Sequence, residues 1–213
     1  MDLPDRRSSS VATRLALAVT YAVSPLSLAP LLLGGLASAS GASGRDVSLV
    51  IGWAVALVAV VPALVLAAMV RRGAVATMEV REQGRRTVPY LVGGACTLLL
   101  GLVLLGVLPG GQRLAAASAL WQAVTTAVLL LINRRWKISV HLVAVAGTFA
   151  TLAWARSAAH LPIPDGWLVG AALAVPLVAW ARLQLRAHTP GEVLAGTVVG
   201  LLLPPLQLTL WAG

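Results

Sequence analysis

Long apolar runs alternate with short polar ones along almost the whole chain. A helix needs about 20 apolar residues, at about 1.5 Å rise each, to cross the ~30 Å hydrocarbon core of a bilayer. The runs lack the every-second-residue alternation of a lipid-facing β-strand, so they predict helices. We predict spans at residues 14–37, 47–70, 88–108, 114–132, 138–156, 166–181 and 192–211. The pattern therefore predicts an all-α, polytopic membrane bundle.

The sixth run is the shortest. Residues 166–181 cross the bilayer only if Leu161 or Leu183 extends the helix, so the prediction is six to seven spans. Composition agrees, because 59% of the residues are hydrophobic and 11% are charged, whereas soluble domains carry about 25% charged residues. We predict one integral membrane domain over 1–213, with a two-helix extension at 1–70 and a core at 79–211.

The basic residues are unevenly distributed between the predicted loops. Seven crossings place the N-terminus and the loops at 71–87, 133–137 and 182–191 on one side, which we call the motif side. Thirteen of the 16 basic residues lie there: Arg6, Arg7, Arg14, Arg71, Arg72, Arg81, Arg85, Arg86, Arg134, Arg135, Lys137, Arg182 and Arg186. Cytoplasmic loops are enriched in Lys and Arg. The motif side and N-terminus are therefore predicted to face the cytoplasm of a cell membrane, and the net charge of +9 needs no nucleic-acid partner.

Three polar stretches on the motif side contain residues that are costly near a bilayer. They are REQGRRTVPY at 81–90, NRRWKISVH at 133–141 and ARLQLRAHTPGE at 181–192. Each adjoins the end of a predicted span, and two spans separate each stretch from the next. All three therefore return to the same membrane face, where they can form one site.

The residue types in these stretches suit phosphate-ester hydrolysis. That reaction needs a nucleophile, an acid for the leaving group and cations for the phosphate oxygens. A neutral imidazole is a nucleophile near pH 7, and we assign His188 to this role. Glu192, four residues later, would hold its tautomer, while His141 would protonate the departing lipid oxygen. Arg182 would bind phosphate oxygens through its planar fork.

The order and spacing of these residues resemble the type 2 phosphatidic acid phosphatase superfamily, whose signatures are KxxxxxxRP, PSGH and SRxxxxxHxxxD. The third signature corresponds to Ala181, Arg182, His188 and Glu192 with every spacing kept. The second corresponds to residues 138–141 and the first to residues 81–89. The resemblance implies a metal-independent membrane hydrolase that forms a phosphohistidine on a lipid phosphate, without a cofactor. It also implies further phosphate contacts from the residues Arg81, Ser139, Val140, Arg85, Arg86 and Lys137.

Six positions differ from the family pattern, namely Arg81, Val88, Ile138, Val140, Ala181 and Glu192, and two of these differences bear directly on phosphate binding. Val88 stands where the first signature has arginine, so Arg85 or Arg86 would have to supply that charge. Val140 stands where the second has glycine and adds a β-branched side chain where backbone approaches phosphate. The alternative is a non-catalytic relative that binds a lipid phosphate.

Structural readings of the same residues also remain. Glu192 follows Thr189 and Pro190 as the third residue of a capping box, and capping and catalysis are compatible. A transporter would need ionisable groups in mid-membrane, but between their first and last turns the predicted spans hold no Asp, Glu, Lys, Arg or His, and Gln122 and Gln207 are the polar exceptions. We therefore predict a lipid phosphatase whose partners are the bilayer and a prenyl or glycerolipid phosphate.

Overall fold

Every regular element in the part of the chain that the structure describes is helical, which confirms the all-α class. The computed structural model describes residues 10–77, 80, 82–107 and 113–212. The helices are α1 (Val11–Ala22), α2 (Pro25–Ala39), α3 (Gly44–Ala54), a π-helical stretch (Val55–Val60), α4 (Val61–Arg71), a 3₁₀ turn (Gln83–Arg86), α5 (Thr87–Val107), α6 (Arg113–Asn133), α7 (Val140–Ser157), α8 (Asp165–Gln184) and α9 (Pro190–Ala212).

Five helical segments are long and apolar enough to cross a membrane: Gly44–Arg71, Gln83–Gly106, Arg113–Asn133, Asp165–Gln184 and Pro190–Ala212. Leucines on these helices face outward; Leu64, Leu173 and Leu210 are each more than 60% exposed. Water-soluble proteins rarely expose such extensive apolar surface. The chain is therefore an integral membrane protein.

Two predicted spans differ from the structure. The first is a broken span, because α1 and α2 meet at a 44° bend where Ser24 caps α2 and Pro25 begins it. The predicted span 138–156 is α7, whose polar residues keep it outside the group of apolar spanning helices. Nine of its 18 residues are buried, so α7 lies inside the bundle, where fewer of its residues face lipid. Among the described residues, length and composition identify five to six spans, which agrees with the predicted six to seven at six.

Small residues let α9 pack directly on α7. A Cβ on Gly196 would lie 2.6 Å from the backbone oxygen of Ser139, and one on Gly200 would lie 2.6 Å from that of Val143. The two glycines are four residues apart, the spacing that allows close approach of membrane helices. The start of α9 is thereby held against the start of α7.

Helix ends from the three polar stretches meet on the motif side. The side chain of Asn133, at the end of α6, donates to the backbone of Gln83 at 3.0 Å, and the Gln83 side chain donates back to the Asn133 carbonyl. Ser139 donates its backbone N–H to the Glu192 carbonyl at 3.2 Å, joining α7 to α9. These contacts position the side chains of the candidate site.

Candidate active site

The turn between α8 and α9 reverses the chain within five residues. Arg186 adopts a left-handed conformation, with φ of +48°, and its N–H donates to the Leu183 carbonyl at 2.9 Å. Ala187 donates to the Arg182 carbonyl at 3.1 Å, which completes a Schellman motif. The turn brings His188 back towards Arg182.

His188 and Glu192 form the closest polar pair of the site. The Nδ1 atom of His188 lies 2.9 Å from Oε2 of Glu192, and the His188 side chain is 2% exposed. The same carboxylate oxygen accepts the backbone N–H of Thr189 at 3.2 Å, while Thr189 Oγ1 accepts the N–H of Glu192 at 3.3 Å. Glu192 thus closes a capping box and contacts the histidine. Since an ionised carboxylate only accepts hydrogen bonds, the neutral ring carries its proton on Nδ1 and leaves Nε2 free.

Positive charge surrounds His188. Burial first, and then the charges of Arg182, Arg86 and Lys137, lower the pKa of His188 to about 3. Its imidazole is therefore neutral at pH 7, the form that a nucleophile requires. His141 lies in the same electrostatic environment, near Arg182, His188 and Arg86. We call Arg86, His141, Arg182, His188 and Glu192 the polar cluster.

The structure distinguishes the two neighbouring arginines of the first stretch. Arg86 is 7% exposed; its Nε donates to the Val80 carbonyl at 2.9 Å and one terminal nitrogen to the Ile138 carbonyl at 3.4 Å. Arg85 is exposed and pairs with Glu82 at 2.9 Å. Arg86 therefore joins the polar cluster and Arg85 lies outside it. Arg81 lies outside the described residues.

The second stretch contributes unevenly. His141 and Val140 line the cavity described below, whereas the fully buried Ser139 is absent from its described walls. The Ser139 hydroxyl is buried and makes no hydrogen bond within the described residues, so the phosphate contact predicted for it stays a prediction. Lys137 donates to the Ala187 carbonyl at 3.0 Å and holds the turn beside His188. Val88 is 47% exposed and is likewise absent from the described cavity wall.

A cavity of about 440 Å³ extends from the polar cluster into the bundle. Arg86, His141, Arg182 and His188 lie on its wall, and most of the remaining lining is apolar. Such a cavity suits an amphiphile with an anionic head and a hydrocarbon tail.

Two contributions to this geometry were missed from the sequence. The spacing of Gly196 and Gly200 was a readable signal for close helix packing. Thr20 of α1 was not singled out, yet its backbone lies within hydrogen-bonding reach of the His141 ring and it lines the cavity. No short motif around Thr20 indicates this contact, which depends on the packing of α1 against α8.

The fold and the site define a helical integral membrane protein with a buried cluster of arginines and histidines at the mouth of an apolar cavity. No protein-family model matches the chain, and no curated protein or solved structure matches it significantly.

Proposed function

We propose that the protein is a membrane lipid phosphatase that hydrolyses a phosphate or diphosphate ester through a phosphohistidine. The observation that carries the proposal is the 2.9 Å contact between His188 Nδ1 and Glu192 Oε2, beside Arg86, Arg182 and His141 at the cavity mouth. A neutral histidine oriented by a carboxylate, with cations next to it, matches the needs of phosphoryl transfer.

In the first step, Nε2 of His188 attacks phosphorus. The new N–P bond forms while the P–O bond to the lipid breaks and its electron pair goes to the leaving oxygen. The negative charge of the bound phosphate offsets the arginines and favours the protonated form of His141, which donates a proton to that oxygen. Glu192 stabilises the positive charge that develops on the His188 ring, and Arg86 and Arg182 stabilise the phosphoryl oxygens.

In the second step, a water molecule attacks phosphorus and gives a proton to His141. The P–N bond breaks, its electron pair returns to Nε2 of His188, and inorganic phosphate leaves. His141 thereby regains the proton that it donated, so both histidines end in their starting forms. If the substrate is a diphosphate, the first leaving group is the lipid monophosphate.

The substrate class follows from the cavity. Its wall accepts a hydrocarbon tail, and its only basic lining residues among those described are Arg86, Arg182 and the two histidines. Prenyl phosphates and diphosphates, polyprenyl-linked sugar phosphates, phosphatidic acid and phosphatidylglycerophosphate all combine an anionic head with such a tail. Apolar contacts discriminate weakly among these tails.

A second candidate function is binding of a lipid phosphate without turnover. Val140 favours this non-catalytic function, because it lines the cavity at the position where the phosphatidic acid phosphatase signature has glycine. A branched side chain there restricts the close approach of backbone to phosphate.

Phosphate release from purified protein tests the two candidates. We expect prenyl or glycerolipid phosphates to be hydrolysed in the presence of EDTA, because arginines supply the positive charge in the proposed mechanism. An acid-labile, base-stable phosphoryl adduct should accumulate on the protein at short times. Tight binding of the same lipids without release or adduct would favour the non-catalytic function.

We also propose that the motif side faces the cytoplasm, which the distribution of basic residues supports. Arg85 on the motif side and His160 beyond α7 are both exposed. In a Cys96→Ala background, we expect Arg85→Cys to react with a membrane-impermeant maleimide only after cells are opened, and His160→Cys to react in intact cells. The reverse pattern would reject this orientation.

A further inference from the structure

The deep end of the cavity carries polar side chains. Ser118, Trp121 and Thr125 all line it and recur on one face of α6 at helical spacing. Gln207 of α9 lies opposite, and Thr125 Oγ1 donates to its Oε1 at 3.1 Å. We call these four residues the floor cluster.

Donors of the floor cluster lack acceptors within the described part of the chain. The Trp121 Nε1–H and the Ser118 hydroxyl are buried from solvent and make no hydrogen bond there. An indole N–H can only donate, so only an acceptor atom can satisfy it. The Thr125 hydroxyl donates to the side-chain oxygen of Gln207. The amide nitrogen of Gln207 adds two further donors.

Other hydroxyls on the cavity wall behave differently. Thr148 donates to the Ala144 carbonyl at 2.9 Å, and Thr97 donates to the Gly93 carbonyl at 3.0 Å. Each is satisfied by its own helix, as is usual for threonine within a membrane span. The Thr20 and Tyr90 hydroxyls elsewhere on the wall are also buried without a hydrogen bond among the described residues, but a hydroxyl can also accept, whereas the indole N–H of Trp121 in the floor cluster can only donate. The contact between Thr125 and Gln207 is an ordinary interhelical hydrogen bond. The Trp121 and Ser118 donors take no part in such a bond in the part of the chain that the structure describes.

The floor cluster lies far from the polar cluster. Asn133 marks the motif side of α6 through its contact with Gln83. Thr125 and Ser118 lie earlier on the same helix, at distances of about 12 and 22 Å along its axis. Thr125 therefore lies near the centre of a hydrocarbon core about 30 Å thick, and Ser118 lies beyond the centre. A tail that reaches from the polar cluster to the unmet donors is somewhat longer than one leaflet.

We propose that the floor cluster binds a hydrogen-bond acceptor oxygen carried near the far end of the ligand's tail. The inference rests on the proposed function, because it places the ligand's phosphate at the polar cluster. The ligand class is then a phosphorylated amphiphile, somewhat longer than one leaflet, with a carbonyl, ether or hydroxyl oxygen in its distal tail. A plain hydrocarbon tail of that length leaves the indole N–H of Trp121 without a hydrogen-bond acceptor.

Binding of two non-hydrolysable phosphonates tests the inference. One carries a plain hexadecyl tail, and the other a tail of equal length that ends in a methyl ketone, which only accepts hydrogen bonds. In nanodiscs, calorimetry should give about 3- to 10-fold tighter binding of the ketone, the scale of one net neutral hydrogen bond. Ser118→Ala combined with Trp121→Phe should abolish this preference. Thr148→Val should keep it, because that hydroxyl is already satisfied.

The outcomes separate the inference from the proposed function. If the protein prefers the ketone and the double variant loses this preference, the floor site is supported. If the matching phosphate esters are also not hydrolysed, that result rejects only the phosphatase. Equal or tighter binding of the plain tail overturns the floor site while leaving hydrolysis open. Binding of neither phosphonate overturns both. If the double variant does not fold, Ser118→Ala alone should reduce the preference, and an unchanged preference would count against the site.

Discussion

Replacing His188 with alanine should reduce kcat for lipid phosphate hydrolysis by about 10³-fold or more, the scale seen when a nucleophile is removed. The substitution removes Nε2, the atom that forms the N–P bond in the proposed mechanism, and with it the phosphoryl adduct. Arg86 and Arg182 remain at the cavity mouth. Binding of a lipid phosphonate should therefore change little, so that turnover and adduct formation are lost while affinity is retained.

His160→Ala is the matched control for this variant. His160 is exposed and adopts a left-handed conformation in the connection between α7 and α8, away from the polar cluster. Its replacement should leave kcat and phosphonate affinity within about twofold of wild type, as expected for a surface substitution. Hydrolysis that persists in His188→Ala with an unchanged rate would reject His188 as the nucleophile. Loss of phosphonate binding in that variant would instead indicate a disrupted site.

Local chemistry explains why much of the architecture could be predicted from the sequence. Apolar runs of about 20 residues specify helices in a bilayer with little ambiguity. The proximity of His188 and Glu192 was predictable because they are separated by one helical turn and the Thr189 capping box fixes the start of α9. The relative positions of His188 and Glu192 therefore follow from the local sequence of the third polar stretch. Pro25 within the first predicted span indicates the bend found there, because proline removes a backbone hydrogen bond and kinks or ends a helix.

Tertiary packing determined what the sequence pattern left open. Whether Arg85 or Arg86 joins the polar cluster depends on the 3₁₀ turn and on the Val80 carbonyl, which Arg86 reaches at 2.9 Å. Val80 itself has φ of +42°, a conformation that a β-branched residue rarely adopts. The close approach of Gly196 to the backbone oxygen of Ser139 likewise depends on the packing of α7 against α9. Neither outcome follows from local preference.

The floor cluster illustrates the same limit at greater sequence distance. Gln122 and Gln207 were visible as the most polar residues in the predicted spans, but hydropathy could not say which neighbour would meet them. Gln207 bonds Thr125, 82 residues earlier in the chain. That contact requires α6 and α9 to be adjacent, which depends on the order of helices in the bundle.

The neighbouring arginines provide the second large expected effect. Arg86→Ala should lower kcat/KM by about 10²- to 10³-fold, as when one electrostatic stabiliser of a transition state is removed. Arg85→Ala should change it by less than about twofold, because the exposed pair with Glu82 contributes little. The two substitutions remove the same side chain at adjacent positions. Their difference therefore measures the effect of location alone.

Arg86 also bonds two backbone carbonyls, so a structural loss must be separated from a loss of charge. Free guanidinium ions should restore part of the activity of Arg86→Ala if the site lacks only the cation. Arg86→Lys should retain part of the activity, because lysine keeps the charge but loses the planar fork. If Arg85→Ala were the more damaging variant, the first stretch would bind phosphate in another conformation, and Arg86 would serve chiefly to hold the Val80 and Ile138 carbonyls together.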